Sequence, residues 1–201
     1  MLRRVAGPQF RTPPDPRRSA DTQDAALIAR VAGGDLHAFE VFYRGYHARI
    51  DRFLGLMTPH RSVVEEVLND TMLVVWRRAA SYNGQSKVST WVLAIAYRTA
   101  LKALRSHDEP AAGPEADGLP SGDLGPEQQH SDRQGRAALA RALAGLSSEQ
   151  RSVLVLTYFH DLPYAEIAQI VECPVDTVKT RAFHGRRRLR ALLSGQLQDW
   201  L

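Results

Sequence analysis

Apolar residues along this chain recur at three- and four-residue spacing, in blocks cut by glycine, proline and short polar runs, a pattern that predicts helices. From Asp24, Leu27, Ile28 and Val31 form a short apolar face that stops at Gly33-Gly34. A longer helix is expected from Asp35 to about Met57, with Phe39, Phe42, Tyr43, Tyr46, Ile50, Phe53 and Leu54 at helical spacing. Thr58-Pro59 breaks the pattern. The next helix, Glu65 to Arg78, turns Val64, Leu68, Thr71 and Val75 inward and sets Glu66, Asn69, Asp70 and Arg77 on a face pointing away. Ser81 to Ser86 is a turn by composition. Ser89 or Thr90 is then placed to cap a helix that runs out at Arg105. On that helix Trp91, Arg98, Lys102 and Arg105 share a stripe, with Leu93, Tyr97, Ala100 and Leu104 roughly opposite.

Residues 106–131 break from this pattern. They hold Pro110, Pro114, Pro120 and Pro126, four glycines and six acids, with neither Lys nor Arg. Such a stretch reads as a flexible acidic linker, spanning a few tens of ångströms as a free coil. Beyond it Leu139, Leu143 and Leu146 mark a helix, and Ser147 with Gln150 makes a capping box for another that carries Val153, Leu154, Leu156 and Tyr158. Pro163 suits the first turn of a short helix, Tyr164 to Val171, with Ile167, Ala168 and Val171 inward. Glu172-Cys173-Pro174 turns the chain into a last helix from Val175 to about Leu193, which buries Val175, Val178, Ala182, Leu189 and Leu193. A short helix, a tight turn and a long basic helix describe a helix-turn-helix. The expected fold is therefore all-α: two small helical domains, residues 24–105 and 132–201, on a linker of residues 106–131. An Arg/Pro-rich tail over residues 1–23 is too poor in apolar residues to build a core and is expected to be disordered.

Charge sharpens this picture. Of 201 residues, 26 are basic and 22 acidic, a formal net charge of +4. Distribution matters more than that total, because six cations stand against the single acid Asp176 between Val175 and Arg190. Short polar side chains near the start of that helix suit base edges in a major groove, and the later arginines suit phosphates. On the earlier helix, an indole in line with three cations suits a polyanion whose bases stack. Cys173 is the only cysteine, which excludes an intrachain disulfide and points to a reducing compartment. No apolar run approaches the span of a bilayer, so a cytoplasmic protein is expected. His37 and His47 have no ligand-spaced partner, and there is no Walker loop or nucleophile motif, so no metal, cofactor or enzymatic activity is expected.

Taken together, the two halves resemble a known family. Glu66-Val-Leu-Asn-Asp-Thr-Met-Leu-Val-Val-Trp-Arg77, Tyr82-Asn-Gly-Gln-Ser and Ser89-Thr-Trp-Val-Leu-Ala-Ile-Ala-Tyr-Arg-Thr-Ala100 resemble conserved region 2 of bacterial sigma factors. Leu146-Ser-Ser-Glu-Gln-Arg151, Tyr164-Ala-Glu-Ile-Ala168 and Cys173-Pro-Val-Asp-Thr-Val-Lys-Thr-Arg181 resemble region 4. Two such regions on a short tether are most similar to the extracytoplasmic-function (ECF) subfamily. The resemblance implies that Glu66, Asn69 and Asp70 meet the clamp helices of the RNA polymerase β′ subunit, where the family presents an acid, a glutamine and an acid. It implies that the loop with Tyr82, Asn83, Gln85 and Ser86 captures a flipped −10 base, and that Trp91, Arg98, Lys102 and Arg105 hold the separated strand. Lys179, Thr180, Arg181, Phe183, His184 and Arg187 fall, by the same resemblance, in the part that reads the −35 element. Core polymerase through β′ and β, promoter DNA (duplex at −35, single-stranded at −10) and an anti-sigma factor are the implied partners. Two other readings of the residues stay open here: a helix-turn-helix regulator acting without core polymerase, and an adaptor that sequesters a protein partner through the acidic face at Glu66 and Asp70.

Overall fold

A computed structural model gives the architecture, and it describes residues 16–106, 135 and 137–198. The helices are α1 (Pro16–Ala32), α2 (Leu36–Met57), α3 (Arg61–Arg78), α4 (Val88–Ser106), α5 (residues 137–144), α6 (Ser148–Tyr158), α7 (Tyr164–Val171) and α8 (Val175–Gln198), with a single 3₁₀ turn at Ala79–Ser81. Among the described residues there is no strand. The expected tail up to residue 15 and the expected linker beyond Ser106 lie outside them.

Local chemistry explains most of the boundaries. Asp35 caps α2 by accepting the Ala38 N–H at 2.9 Å, and Ser147 caps α6 by accepting the Gln150 N–H at 3.2 Å. Gly34 leaves α1 with φ of +85°, a conformation only glycine adopts freely. Four boundaries differ from the sequence expectation, among them the end of α8, which runs on past Leu193 to Gln198. Helix α1 begins at Pro16, taking in residues 16–23, because proline at a first helical position gives up no hydrogen bond. Helix α3 begins at Arg61, just after the Pro59 break. Ser89 and Thr90 lie inside α4, which starts at Val88.

In the first half α1, α2, α3 and α4 pack in sequence, with Phe42, Ile50, Phe53, Leu54, Met72 and Leu93 sealed in the core. The expected inward stripe of α3 (Val64, Leu68, Thr71, Val75) is buried throughout. Phe42 stacks on Tyr46 at 4.5 Å, and the Tyr46 hydroxyl donates to Asp24 of α1 at 2.5 Å, so its pKa is pushed up by burial and then by that carboxylate. In the second half α6, α7 and α8 close around Leu154, Leu156, Ile167, Ile170, Val178 and Ala182. A Cβ added at Gly185 would sit 3.2 Å from Leu154, so glycine sets how closely α8 approaches α6. Of the stripe expected inward on α8, Val178 and Ala182 are buried, Leu189 and Leu193 are half-buried, and Val175 in the first turn is 37% exposed.

The halves also pack on each other. α4 lies against α7, and α2 against α6. Leu93, Tyr97 and Ala100 are buried as expected, yet Ala94, Ile95 and Val92 are buried too, since α4 is covered on more than one side. Arg151 of α6 spans the junction: its guanidinium donates to the carbonyls of Leu143 and Ala144 at 2.8 Å each, to that of Leu146 at 3.3 Å, and to that of Met57 at the end of α2.

His160 lies at the same junction, its ring edge-on to Phe53 of α2 at 5.9 Å. Burial, and then the charges of Arg49 and Arg52, lower its pKa to about 4. Its buried Nε2 has no hydrogen-bond partner among the described residues. An unfolded histidine titrates near 6.5, so below that pH the unfolded chain binds the extra proton and stability falls until the folded pKa is reached. Urea unfolding at pH 5 should give a stability about 2 kcal/mol lower than at pH 7 from this group alone. His160→Gln should remove that part of the pH dependence; an identical pH profile would exclude His160 as its source.

Candidate nucleic-acid and protein interface

Four surfaces carry the residues singled out in the sequence. The first is on α3. Glu66, Asn69, Asp70, Leu73 and Arg77 are exposed along one stripe, one or two helical steps apart, opposite the buried one. Leu73 is 44% exposed amid these polar groups and was not singled out from sequence, where an apolar residue inside an amphipathic helix reads as core. Asn69 accepts weakly, at 3.4 Å, from the Tyr43 hydroxyl of α2. The face is thus acidic with an apolar centre, a composition suited to a basic or amphipathic helix.

The second surface is the loop before α4. The Tyr82 hydroxyl donates to the Ser86 carbonyl at 2.6 Å, the Gln85 N–H donates to the Asn83 side chain at 3.1 Å, and Gly84 takes φ of +72°. These bonds close a small braced cup whose rim, Asn83, Gly84 and Gln85, is exposed. The Tyr82 ring leans on Trp91 at 5.5 Å with an interplanar angle of 57°. Burial raises the Tyr82 pKa, helped by Asp21 and Asp24 of α1. The structure therefore joins the two aromatics that the sequence placed on separate elements.

Third comes the cation stripe of α4. Arg98, Lys102 and Arg105 are all exposed, as the helical spacing predicted, while Trp91 is half-buried. Arg98 is not open to solvent on every side: it donates to Glu172 of the helix-turn-helix. Lys87, at the head of the same stripe, pairs with Glu166 of α7 at 2.5 Å, and the Thr90 hydroxyl donates to the other oxygen of that carboxylate at 3.1 Å. Thr90 thus serves the junction and not a helix cap. Glu166 and Glu172 had no signal in the sequence, where acids on a short helix read as solvated.

The fourth surface is α8. Lys179, Thr180, Phe183, His184 and Arg187 are exposed, as are Arg186, Arg188 and Arg190. Phe183, 56% exposed, sits edge-on to His184 at 5.3 Å. An apolar ring left in solvent at the middle of a basic helix suits contact with a base methyl or a sugar. Lys179 pairs with Asp176 at 2.9 Å, an exposed pair worth little on its own. Arg181 stands apart from the other residues that the resemblance assigns to the −35 element. It is half-buried and turned toward the Cys173 sulfur at 3.6 Å, because its position is one turn from the buried Val178 and beside the buried Ala182. His184, Arg187 and Arg188 line an open groove of about 540 Å³ with Gly145 and Gln150. Among the described residues no group of His, Cys, Asp and Glu is arranged to hold a metal ion, and no helix is long and apolar enough to cross a membrane.

Comparison with known proteins follows this geometry. Residues 42–109 match the family profile described as Sigma-70 region 2, and residues 136–189 that described as Sigma-70, region 4. The chain is 30% identical over 172 residues to the ECF RNA polymerase sigma factor SigK of Mycolicibacterium vanbaalenii, covering 84% of this chain and 88% of that one. It is 29% identical over 173 residues to the ECF RNA polymerase sigma factor SigM of Mycobacterium tuberculosis, covering 86% of each. Its fold is similar to that of CnrH, solved in complex with the cytosolic domain of CnrY, with a TM-score of 0.66, 20% identity and coverage of 86% of this chain and 97% of that one. It is also similar to that of the sigma factor RpoE of Bartonella quintana, solved with the anti-sigma factor NepR, at a TM-score of 0.62 and 20% identity, covering 77% of this chain and 98% of that one.

Proposed function

Since this chain belongs to the sigma-70 family, as an ECF-type RNA polymerase sigma factor, we propose that its four surfaces divide the work of promoter selection and opening among them. The acidic stripe of α3 (Glu66, Asn69, Asp70), with Leu73 at its centre, docks on the β′ clamp helices of core polymerase. On α8, Lys179, Thr180, Phe183 and His184 face the −35 duplex, with Arg187 on its phosphates. The loop of Tyr82, Asn83, Gln85 and Ser86, with Trp91, takes a base extruded from the −10 element, and Arg98, Lys102 and Arg105 hold the strand that leaves the duplex.

The energetics favour this division. Taking a base out of the stack costs roughly a few kcal/mol. Nothing in the proposal hydrolyses a nucleotide, so opening has to be offset by binding the open strand better than the duplex. Stacking on an aromatic side chain contributes about 1–3 kcal/mol per base, and each phosphate contact adds a salt-dependent increment. Chemistry belongs to the polymerase in this reading, with the chain acting in the cytoplasm as an initiation factor without a cofactor. Since a sigma factor of the same fold was solved with an anti-sigma factor, we propose such a protein as a further partner of this chain.

The observation that carries the proposal is the braced cup at Tyr82 and Trp91 standing at the head of the α4 cation stripe, an arrangement that suits an unpaired base and a single strand better than a duplex. Run-off transcription with purified core polymerase on a genomic fragment library tests it. Discrete transcripts that require the chain are expected. Duplex binding without core and no new start sites would favour a free-standing regulator, and core-independent protein capture with no DNA binding would favour an adaptor.

A further inference from the structure

His184 stands at a seam on α8. Thr180 and Arg187 form the outward line of the helix, while Arg188 lies on the flank beside the groove shared with Gly145 and Gln150. Helical spacing sets His184 between the two. Its ring is exposed, nearly perpendicular to that of Phe183 at 5.3 Å and 78°. Among the described residues its side chain has no hydrogen-bond partner. Both ring nitrogens are left to an incoming ligand.

The charges facing this ring come from its own helix. Arg187 and Arg188 stand one turn further along and line the groove with it. Arg181, one turn back, is turned to the Cys173 sulfur, and Glu149 of α6 interacts with Arg181. Gly145 and Gln150, on the other wall, bring no charge, and among the described residues no carboxylate lines the groove.

A neutral imidazole has one N–H donor and one acceptor, whereas an imidazolium has two donors. Duplex DNA offers phosphate oxygens along its edge and acceptors on the purine edges of the major groove. At the seam a neutral ring can serve only one of these, and its other nitrogen then faces oxygens that it cannot bond. Protonation turns that nitrogen into a second donor, and a phosphate close by favours the charged form. Histidine is the side chain that changes charge between about pH 5 and 8, where arginine stays charged throughout.

We infer that His184 makes −35 recognition proton-linked: as the duplex docks, the ring takes a proton from solvent, one N–H meeting a base acceptor and the other a phosphate beside Arg187 and Arg188. The inference rests on the reading of α8 as the −35 helix. The bound state then holds more protons than the free state, so promoter affinity rises as pH falls.

The test uses the chain assembled with core polymerase, on a labelled promoter fragment recovered by run-off transcription. Binding is measured at pH 6 and pH 8 over a series of salt concentrations. Wild type should bind about fivefold more tightly at pH 6, with a slope of log affinity against log salt steeper by about one. His184→Arg should bind at both pH values as wild type does at pH 6, and His184→Gln at both as wild type does at pH 8. Core polymerase and the other histidines are common to all three proteins, so their titration cancels in the comparison. His160, lowered to about 4, stays neutral over this range. A His184→Gln variant that keeps the full pH dependence overturns the inference, as does a wild-type salt slope that is the same at both pH values. If both substitutions leave affinity at wild-type values at each pH, His184 lies off the DNA, and the reading of α8 is what fails.

Discussion

Arg151→Ala should lower the unfolding free energy by about 3 kcal/mol, the largest effect expected of any single side chain outside the apolar core. Its guanidinium satisfies the carbonyls of Leu143, Ala144 and Leu146, where α5 ends and the chain turns into α6, and reaches across to the carbonyl of Met57 at the end of α2. The last carbonyls of a helix have no partner within it, and a buried acceptor left bare costs about 1–3 kcal/mol. Alanine takes a donor from four carbonyls at once; that of Leu143 keeps the Leu146 N–H at 3.0 Å, and water reaches those at the rim. Burial lowers the Arg151 pKa, which marks the solvation this side chain gives up to make these bonds. Equilibrium unfolding in urea measures the loss. Arg151→Lys should recover only part of it, because one ammonium cannot serve carbonyls on two sides in the way a planar fork does. A change below about 0.5 kcal/mol for the alanine variant would mean that the junction is held by apolar packing alone.

Asp70→Arg should weaken binding to core polymerase by about a hundredfold while leaving the fold intact. Asp70 is exposed on α3, beside Glu66 and Leu73, and its backbone position on the helix asks nothing of its side chain. Replacing an attractive charge by a repulsive one at the middle of a charged interface costs several kcal/mol, and about 2.7 kcal/mol corresponds to a hundredfold. The same substitution should leave duplex binding by α8 unchanged, which separates loss of docking from general damage. Competition with wild-type protein for a limiting amount of core reads the effect directly. Equal affinity would remove the α3 stripe from the polymerase contact and shift attention to the other exposed apolar side chains, such as Leu36 on α2.

At Glu172 local strain coincides with a contact between the halves. It ends α7 with φ of 53°, a left-handed conformation that costs a residue with a side chain about 1 kcal/mol relative to glycine. A sequence reader expects glycine or asparagine there. The carboxylate on Arg98 offers a reason for glutamate that the backbone alone does not.

Much of this molecule was legible in its residues. Helical periodicity located α2, α3, α4, α6, α7 and α8, because which faces of a helix are apolar is a property of a few consecutive turns. The exposed stripe of α3 and the outward face of α8 followed from the same arithmetic, and Ser147 with Gln150 set the start of α6. Turn composition gave the loop from Ser81 to Ser86, and the structure its bracing. The profile matches and relatives support the family that the motif order suggested.

Periodicity says that a face will be covered but not by what, and there tertiary structure decided. Lys87 meets Glu166 and Arg98 meets Glu172 across 79 and 74 positions of chain, distances over which no local pattern carries information. For the same reason Thr90 turned from a helix cap into a contact between halves. An acid on a short exposed helix has one appearance in sequence whether it faces water or a neighbouring cation. Only the packing of α7 on α4 distinguishes the two, because the free energy that selects between them comes from burying surface that the two halves contribute jointly.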